Sequence, residues 1–383
     1  MKHPLDGVRV VDLAGYIAGA YCAGLLADMG ARVVKVESPA GDGFRSIGGA
    51  FQGWNRGKRA IVLDLLTDEG REILYQMVAA ADVVTENYRP GVARKLGVDY
   101  DTLKAVNPTI IYCTATGYGT DGPYADKPTF DPLLQAQSGA VVAQGGEGNT
   151  PNFLRMAVSD YAGAIIAASG VAAALVNRAR TGRGQRLETA LLNSAIAVQA
   201  GEFFSYPGKR PAPRLESLGL TSTYRLYKAQ DGWFFLSCTD DTSWSSLCHV
   251  TGRLDLAREY PDQAARQAHD TEIGATLDKI FVARPRRHWL ALLQEAGVKC
   301  ASSSYMKDIH DDPQAQHLGL TVDAESPDAG PIKQMGLPVT FSRTPGKIWG
   351  PSPAHGQHTD EILAEMGFSA KDIAGLRERG VAR

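Results

Sequence analysis

Asp160 is the residue of this chain best placed to do covalent chemistry. It stands in Ala157-Val158-Ser159-Asp160-Tyr161-Ala162-Gly163, at the head of a run of Ala, Gly, Ile, Leu and Val that closes with Arg178-Ala179-Arg180-Thr181-Gly182-Arg183-Gly184-Gln185. The run reads as a helix packed on every side. An acid in its first turn faces backbone N–H groups that have no partner within the helix, and the positive end of the helix dipole. Such a carboxylate is expected to stay ionised and fixed, as a group that attacks an activated carbonyl carbon must be. The same pattern describes an ordinary helix cap, so the rest of the chain has to decide.

Other chemistries find less support. The first strand-to-helix turn, Gly15-Tyr16-Ile17-Ala18-Gly19-Ala20-Tyr21-Cys22-Ala23-Gly24, lacks the G-x-G-x-x-G spacing that seats a pyrophosphate. Neither a G-x-x-x-x-G-K-[ST] loop nor a G-x-S-x-G elbow occurs. His355 and His358 lie three apart with no third ligand evident, so no metal is expected. Cys22, Cys113, Cys238, Cys248 and Cys300 are odd in number and scattered, which argues against disulfides and zinc. Lys and Arg total 40 against 42 Asp and Glu, a balance without the basic footprint of a nucleic-acid partner. The N-terminal residues form no apolar signal segment, and the apolar run from Tyr161 to Val176 is shorter than the roughly 20 residues that span a bilayer. A cytoplasmic enzyme with reduced thiols and no membrane partner is the expectation.

The elements that must position Asp160 follow from alternation. Strands are expected at Arg9–Leu13, Ala31–Glu37, Arg59–Asp64, Asp82–Glu86, Thr109–Ala115 and Arg186–Leu191, with helices at Ala18–Met29, Asp68–Ala81, near Asp99–Val106 and, after the last of these strands, to about Phe204. Apolar strands alternating with helices indicate an α/β fold with a doubly wound parallel sheet. A Pro/Gly/Arg-rich stretch near Tyr206–Arg214 reads as a linker, and Asp231-Gly232 between two aromatic-rich runs as a hairpin. The expected organisation is a large domain over 1–205, a linker at 206–222, a small α+β domain over 223–315, and a return over 316–383. The last part is expected to be loop over Gly330–Pro353, then a helix from Thr359 to about Met366.

Those residues carry a resemblance. Leu5-Asp6-Gly7-Val8-Arg9-Val10-Val11-Asp12, Asp28-Met29-Gly30-Ala31-Arg32-Val33-Val34-Lys35-Val36-Glu37 and Asn55-Arg56-Gly57-Lys58-Arg59 resemble the opening of class III (family III) CoA-transferases. That group includes formyl-CoA:oxalate and carnitine CoA-transferases, with 2-methylacyl-CoA racemases as close relatives. Glu86-Asn87-Tyr88-Arg89-Pro90-Gly91, Asn107-Pro108, Thr116-Gly117-Tyr118-Gly119, Gly122-Pro123-Tyr124, Thr181-Gly182-Arg183-Gly184-Gln185 and His358-Thr359-Asp360-Glu361 continue it in order.

The resemblance implies a nucleotide-fold large domain built from both chain ends, a small domain inserted late, and two subunits interlinked like rings. It makes Asp160 the nucleophile that exchanges CoA between carboxylic acids through an aspartyl anhydride and an aspartyl-CoA thioester. CoA enters as a substrate thioester, and Ile17, Ala18, Leu63, Asn87, Tyr88, Lys95 and Asp131 match positions near the ligand, Leu63 beside the adenine. Where the racemase branch has a histidine before the first acid, this chain has Phe130, which cannot carry a proton. Where oxalate-using members have Gln and Arg it has Ile17 and Ser38, and their run of four glycines is replaced by Ser217-Leu218-Gly219-Leu220. Asp241 falls near a racemase glutamate. The readings left open are a CoA-transferase, a CoA-ester racemase or isomerase, and a non-catalytic CoA-ester-binding subunit.

Overall fold

A computed structural model describes residues 2–47, 49–146, 148–209, 217–327 and 329–383. The chain gathers into two compact units, one from Met1–Ser138, Leu154–Phe203 and His310–Arg383, the other from Gly139–Phe153 and Phe204–Ile309. Residues 139–153 thus group with the second unit rather than with the residues on either side of them. The part of the expected linker at 210–216 lies outside the described residues.

The first unit is built on β1 (Arg9–Asp12), β2 (Arg32–Glu37), β3 (Arg59–Val62), β4 (Val83–Glu86), β5 (Ile111–Thr116) and β6 (Gln185–Ala190), in the order β3-β2-β1-β4-β5-β6 with each neighbouring pair parallel. Successive strand residues point to opposite faces, and here both faces are filled. Val11, Val84 and Tyr112 enter one core with Ile61 and Leu74, while Val10, Val83 and Ile111 enter another with Cys22, Leu26, Ala164 and Val171. This is why the strands are apolar throughout rather than alternating.

The helices between strands are α1 (Ala18–Asp28), α2 (Ala50–Asn55), α3 (Asp68–Ala79), α4 (Val92–Lys95), α5 (Tyr100–Val106) and α6 (Asp131–Gln137). Beyond α7 (Ala140–Gly145), which belongs to the second unit, come α8 (Val158–Thr181) and α9 (Leu191–Ala197). Gly30, at φ 101°, ends the first helical segment as its position suggested, because a left-handed residue there is cheap only for glycine. The helix expected to run to Phe204 instead ends at Ala197.

Helix α8 corrects one expectation. It is not packed on every side: Ile165, Ile166 and Val176 are exposed, while Gly163, Ala164, Ala167, Val171 and Ala174 are buried. Its small residues serve close approach to α1, which is itself rich in Ala and Gly. At 24 residues it is longer than the apolar run and, by length and composition, could cross a membrane. In this unit α1, α9, β5 and β6 pack along it, as neighbours do along a core helix.

The second unit carries an antiparallel sheet, β7 (Gly219–Thr221), β8 (Tyr224–Ala229), β9 (Gly232–Ser237) and β10 (Lys299–Ser302), in the order β10-β9-β8-β7. Helices α10 (Asp241–Val250), α11 (Leu254–Glu259), α12 (Gln263–Ala268), α13 (Asp270–Phe281) and α14 (Arg286–Glu295) accompany it, around a core that includes Tyr227, Phe234, Trp244, Phe281 and Trp289. The chain returns to the first unit through α15 (Pro313–His317). It then forms a hairpin of β11 (Thr321–Ser326) and β12 (Gly330–Met335), the latter where only loop was expected. After α16 (Thr359–Glu365) and α17 (Ala370–Glu378), Ala382 makes an antiparallel bridge to Leu63.

Candidate active site

The strand order reverses direction between β1 and β4, and ligands of open parallel sheets bind beyond the carboxyl ends of the strands at such a point. The turns leaving those two strands are joined there by one side chain. Asn87 accepts the Gly15 N–H at 2.9 Å and donates its amide to the Gly15 carbonyl at 2.8 Å. Tyr16, next along, sits at φ 58°, a left-handed conformation that bulky residues rarely adopt. Its ring meets Phe44 at 5.2 Å and Phe130 at 6.3 Å between centroids. Ile17 then occupies the N-cap of α1, and Ala18 begins the helix; both are buried.

Below this turn lies a buried charge network. Lys58 donates to Asp12 (2.7 Å), the Ala20 carbonyl (2.7 Å) and Asn55 (2.8 Å), with Lys58 and Asp12 both enclosed. Lys35 donates to the Ala14 carbonyl at 2.5 Å and pairs with Asp42 at 3.1 Å. Burial pulls the Lys58 ammonium down to about 8 despite the opposing field of Asp12. These lysines thus hold backbone carbonyls on either side of the Tyr16 turn.

Asp160 is brought to the same place by α8. Ala157 and Tyr161, flanking it, pack on the cluster of Ile17, Ala20 and Trp54, and the Trp54 indole donates to the Tyr161 hydroxyl at 3.1 Å. A Cβ on Gly163 would lie 3.8 Å from that of Ala18 and 3.1 Å from Leu191, so the first turns of α8 are held tightly between α1 and α9. The Asp160 carboxylate accepts no hydrogen bond and forms no ion pair among the described residues. Asp131 lies beside it, buried, with one oxygen accepting the Ser159 N–H at 2.7 Å and the other accepting the Gln135 amide.

The expectation that the helix dipole keeps Asp160 ionised is overturned. Its carboxyl is pushed up to about 7, first by burial and second by the charge of Asp131. A helix N-terminus contributes about 0.3–1 kcal/mol, less than one pKa unit. Without a hydrogen bond to the carboxylate, that is too little to offset removal from water.

The remaining expected residues are dispersed. Leu63 is fully enclosed in the core with Ile61 and Leu74, so its side chain has no surface to offer an adenine ring. The amide of Asn87 is occupied by Gly15 on both of its atoms. Tyr88 is half-buried, its hydroxyl pushed up by burial and by Glu86. It lines a cavity of about 330 Å³ with Arg89, Arg94, Tyr112 and Arg186. Lys95 is exposed at the end of α4, without an ion pair among the described residues. In the second unit Asp241 pairs with the buried Arg266 at 2.5 Å. His358 accepts the Ala60 N–H at 3.1 Å, and His355 meets the Ser38 carbonyl at 3.1 Å. No cluster of three metal-ligating side chains occurs among the described residues.

Sequence reasoning missed Tyr16, Trp54, Phe44 and Gln135. Only Gln135 had a signal, its spacing of one helical turn from Asp131. An exposed pair of turns pinned together, an isolated half-buried acid and a buried acid beside it make a site suited to nucleophilic attack by a carboxylate.

Comparison with known proteins gives the family. The model of CoA-transferase family III matches residues 5–359. The chain belongs to that family. A succinate–glutarate CoA-transferase from Agrobacterium fabrum is 34% identical over 384 residues, spanning 95% of this chain and 96% of its own. A succinyl-CoA:mesaconate CoA-transferase from Haloarcula marismortui is 35% identical over 382 residues, with coverage of 95% and 96%. The crystal structure of a CaiB/BaiF family protein from Brucella suis, 33% identical, superposes with a TM-score of 0.87 over 96% of this chain and 100% of that one. This family III member is an enzyme, a CoA-transferase, and the CoA-transferases it resembles act on acyl-CoA and carboxylate substrates.

Proposed function

We propose that this CoA-transferase exchanges CoA between carboxylic acids through covalent intermediates on Asp160. The observation that carries the reading is the isolation of that carboxylate: half-buried, without a hydrogen bond or ion pair among the described residues, in the first turn of α8, where Ala157 and Tyr161 pack on Ile17, Ala20 and Trp54. A carboxylate oxygen of Asp160 attacks the thioester carbon of the donor. A C–O bond forms, the C–S bond breaks, and CoA leaves as its thiolate, giving a mixed anhydride. The thiolate then attacks the aspartyl carbonyl of that anhydride, releasing the first acid and leaving an aspartyl-CoA thioester. The acceptor carboxylate attacks this thioester and expels the thiolate, which attacks the acceptor's carbonyl and restores Asp160. Each step trades one activated carboxyl for another, so no ATP is required.

Exposed cations at the strand ends, Arg89, Arg94 and Lys95, suit the phosphates of CoA, with Tyr88 as a stacking surface. The acids named in the relatives make succinate, glutarate and mesaconate the first candidates for donor and acceptor. The exposed apolar face of α8 supports a homodimer in which a second copy covers it, in a soluble cytoplasmic enzyme. The aromatic Phe130 stands against the racemase reading, because no proton carrier occupies its position.

The test is covalent capture. With succinyl-CoA present, hydroxylamine or borohydride should mark Asp160, read by peptide mass spectrometry, and Asp160→Ala should be inactive and unmarked. Full activity in Asp160→Ala together with an unmarked wild type would sink the reading.

A further inference from the structure

Helix α8 begins without a cap of its own. The N-cap residue is Ala157, which has no side-chain acceptor, so the first backbone N–H groups need a partner from elsewhere. Asp131, the first residue of α6, supplies it by accepting the Ser159 N–H at 2.7 Å. Its second oxygen accepts from Gln135, one turn further along α6. Gln135 is fully buried and holds the segment entering α8 as well. Its amide N–H groups are shared with the carbonyls of Leu154 (3.0 Å) and Met156 (3.2 Å), and its oxygen accepts the Leu154 N–H at 3.2 Å.

With both of its oxygens engaged and 3% of its surface exposed, Asp131 has little to offer a ligand directly. We propose instead that Asp131 and Gln135 are a positioning pair, fixing the first turn of α8 and holding a second negative charge beside the nucleophile. The proposal rests on the reading of Asp160 as that nucleophile. Asp131 is the only charged group among the described residues that acts on Asp160. Of the other helices packed against the start of α8, α9 has no ionisable side chain, and the one acid of α1, Asp28, is paired with Arg56 at the far end of that helix. Neither positioning residue needs to touch the substrate to act.

Asp131→Asn keeps an acceptor for Ser159 and removes the charge, so it separates position from electrostatics. Its acid limb in kcat/KM should move down by about half to one pH unit, because a neighbouring like charge no longer resists ionisation. Gln135→Leu should lower kcat about tenfold or more while KM for acyl-CoA stays within about threefold, the signature of a misplaced nucleophile. A residue that only stabilises the fold would lower the melting temperature and leave the acid limb where it was. An unmoved limb in Asp131→Asn, with Asp160→Ala inactive, overturns the pair but not the nucleophile. An active Asp160→Ala overturns the nucleophile itself. Should Gln135→Leu fail to fold by circular dichroism, the near-isosteric Asp131→Asn still decides the question.

Discussion

One oxygen of Asp131 lies 2.7 Å from the backbone nitrogen of Ser159, so the charge that caps α8 also presses on Asp160, the next residue. Near neutral pH the Asp160 carboxyl is therefore divided between its protonated and ionised forms. With the folded value raised to about 7 from an ordinary 3.8, the native state binds a proton that the unfolded chain has lost between those limits. Stability contributed by this group is full below pH 4, falls as pH rises, and is gone above pH 7. Half-burial lets solvent screen part of the shift, so the cost above pH 7 is about 2 kcal/mol. Asp160→Asn is expected to melt a few degrees above wild type at pH 8, with the gap shrinking toward pH 5. Calorimetry of both proteins across that range checks this, and a gap independent of pH would contradict it.

Asn87 ties the turn after β4 to the turn after β1 through two hydrogen bonds to Gly15. Beside Gly15 stands Tyr16 in its left-handed conformation, which persists only while its surroundings hold it. Asn87→Ala removes both bonds, a loss of about 2 kcal/mol at the usual net worth of each. It also frees the turn that presents Ile17 and Ala18. KM for acyl-CoA should rise about tenfold, with Asn87→Asp recovering part of the loss through its remaining acceptor. Steady-state kinetics with thermal melts would detect this, and an unchanged KM would show that the turn needs no such clamp.

The parallel sheet was legible because strands such as Val83–Glu86 and Ile111–Thr116 are covered on both faces and therefore read as short apolar runs between helical patterns. Asp160 was legible as a candidate by its place at the head of α8, but its ionisation was misjudged. Burial and the charge of Asp131 depend on packing between segments, not on the local pattern. Strand β12 was missed because Gly330 and Pro331 at its start read as loop, although its antiparallel partner β11 immediately precedes it in the chain. Polar α17 has a capping box at Ser369 and Asp372 but only a narrow apolar face, Ile373 and Leu376. The aromatic contacts that join Tyr16 to Phe130 and Trp54 to Tyr161 link residues more than a hundred positions apart, and no local signal marks them.

Phe130, the N-cap residue of α6, is exposed and turned toward Tyr16. A phenyl ring cannot take up or return a proton, so removal of an α-proton from a bound acyl-CoA has no base at that position. Incubating the enzyme with a 2-methylacyl-CoA in deuterium oxide should leave the α-carbon unlabelled over many transfer turnovers. Deuterium wash-in without an acceptor acid, followed by mass spectrometry, would reverse that conclusion and restore the racemase.

Lys58 and Asp12 form an ion pair at 2.7 Å with neither side chain exposed, and Lys58 also holds the Ala20 carbonyl inside α1. Replacing Asp12 by Ala strands a buried ammonium whose remaining partners are neutral oxygens, and leaves the N–H of Ala14 and the hydroxyl of Thr85 without their acceptor. Breaking one side of a buried pair typically costs about 3–5 kcal/mol. Lys58 is already drawn down to about 8, and without Asp12 it would fall further and shed its proton near neutral pH. With its folded value below that of the unfolded chain, Lys58 in the variant loses stability as pH falls below 10, because the unfolded chain then takes up a proton the folded one refuses. Asp12→Ala should therefore be least stable at mildly acidic pH and regain stability toward pH 9, measured by denaturant unfolding at several pH values. A loss of the same size at pH 6 and pH 9 would mean that the stranded charge is not what destabilises it.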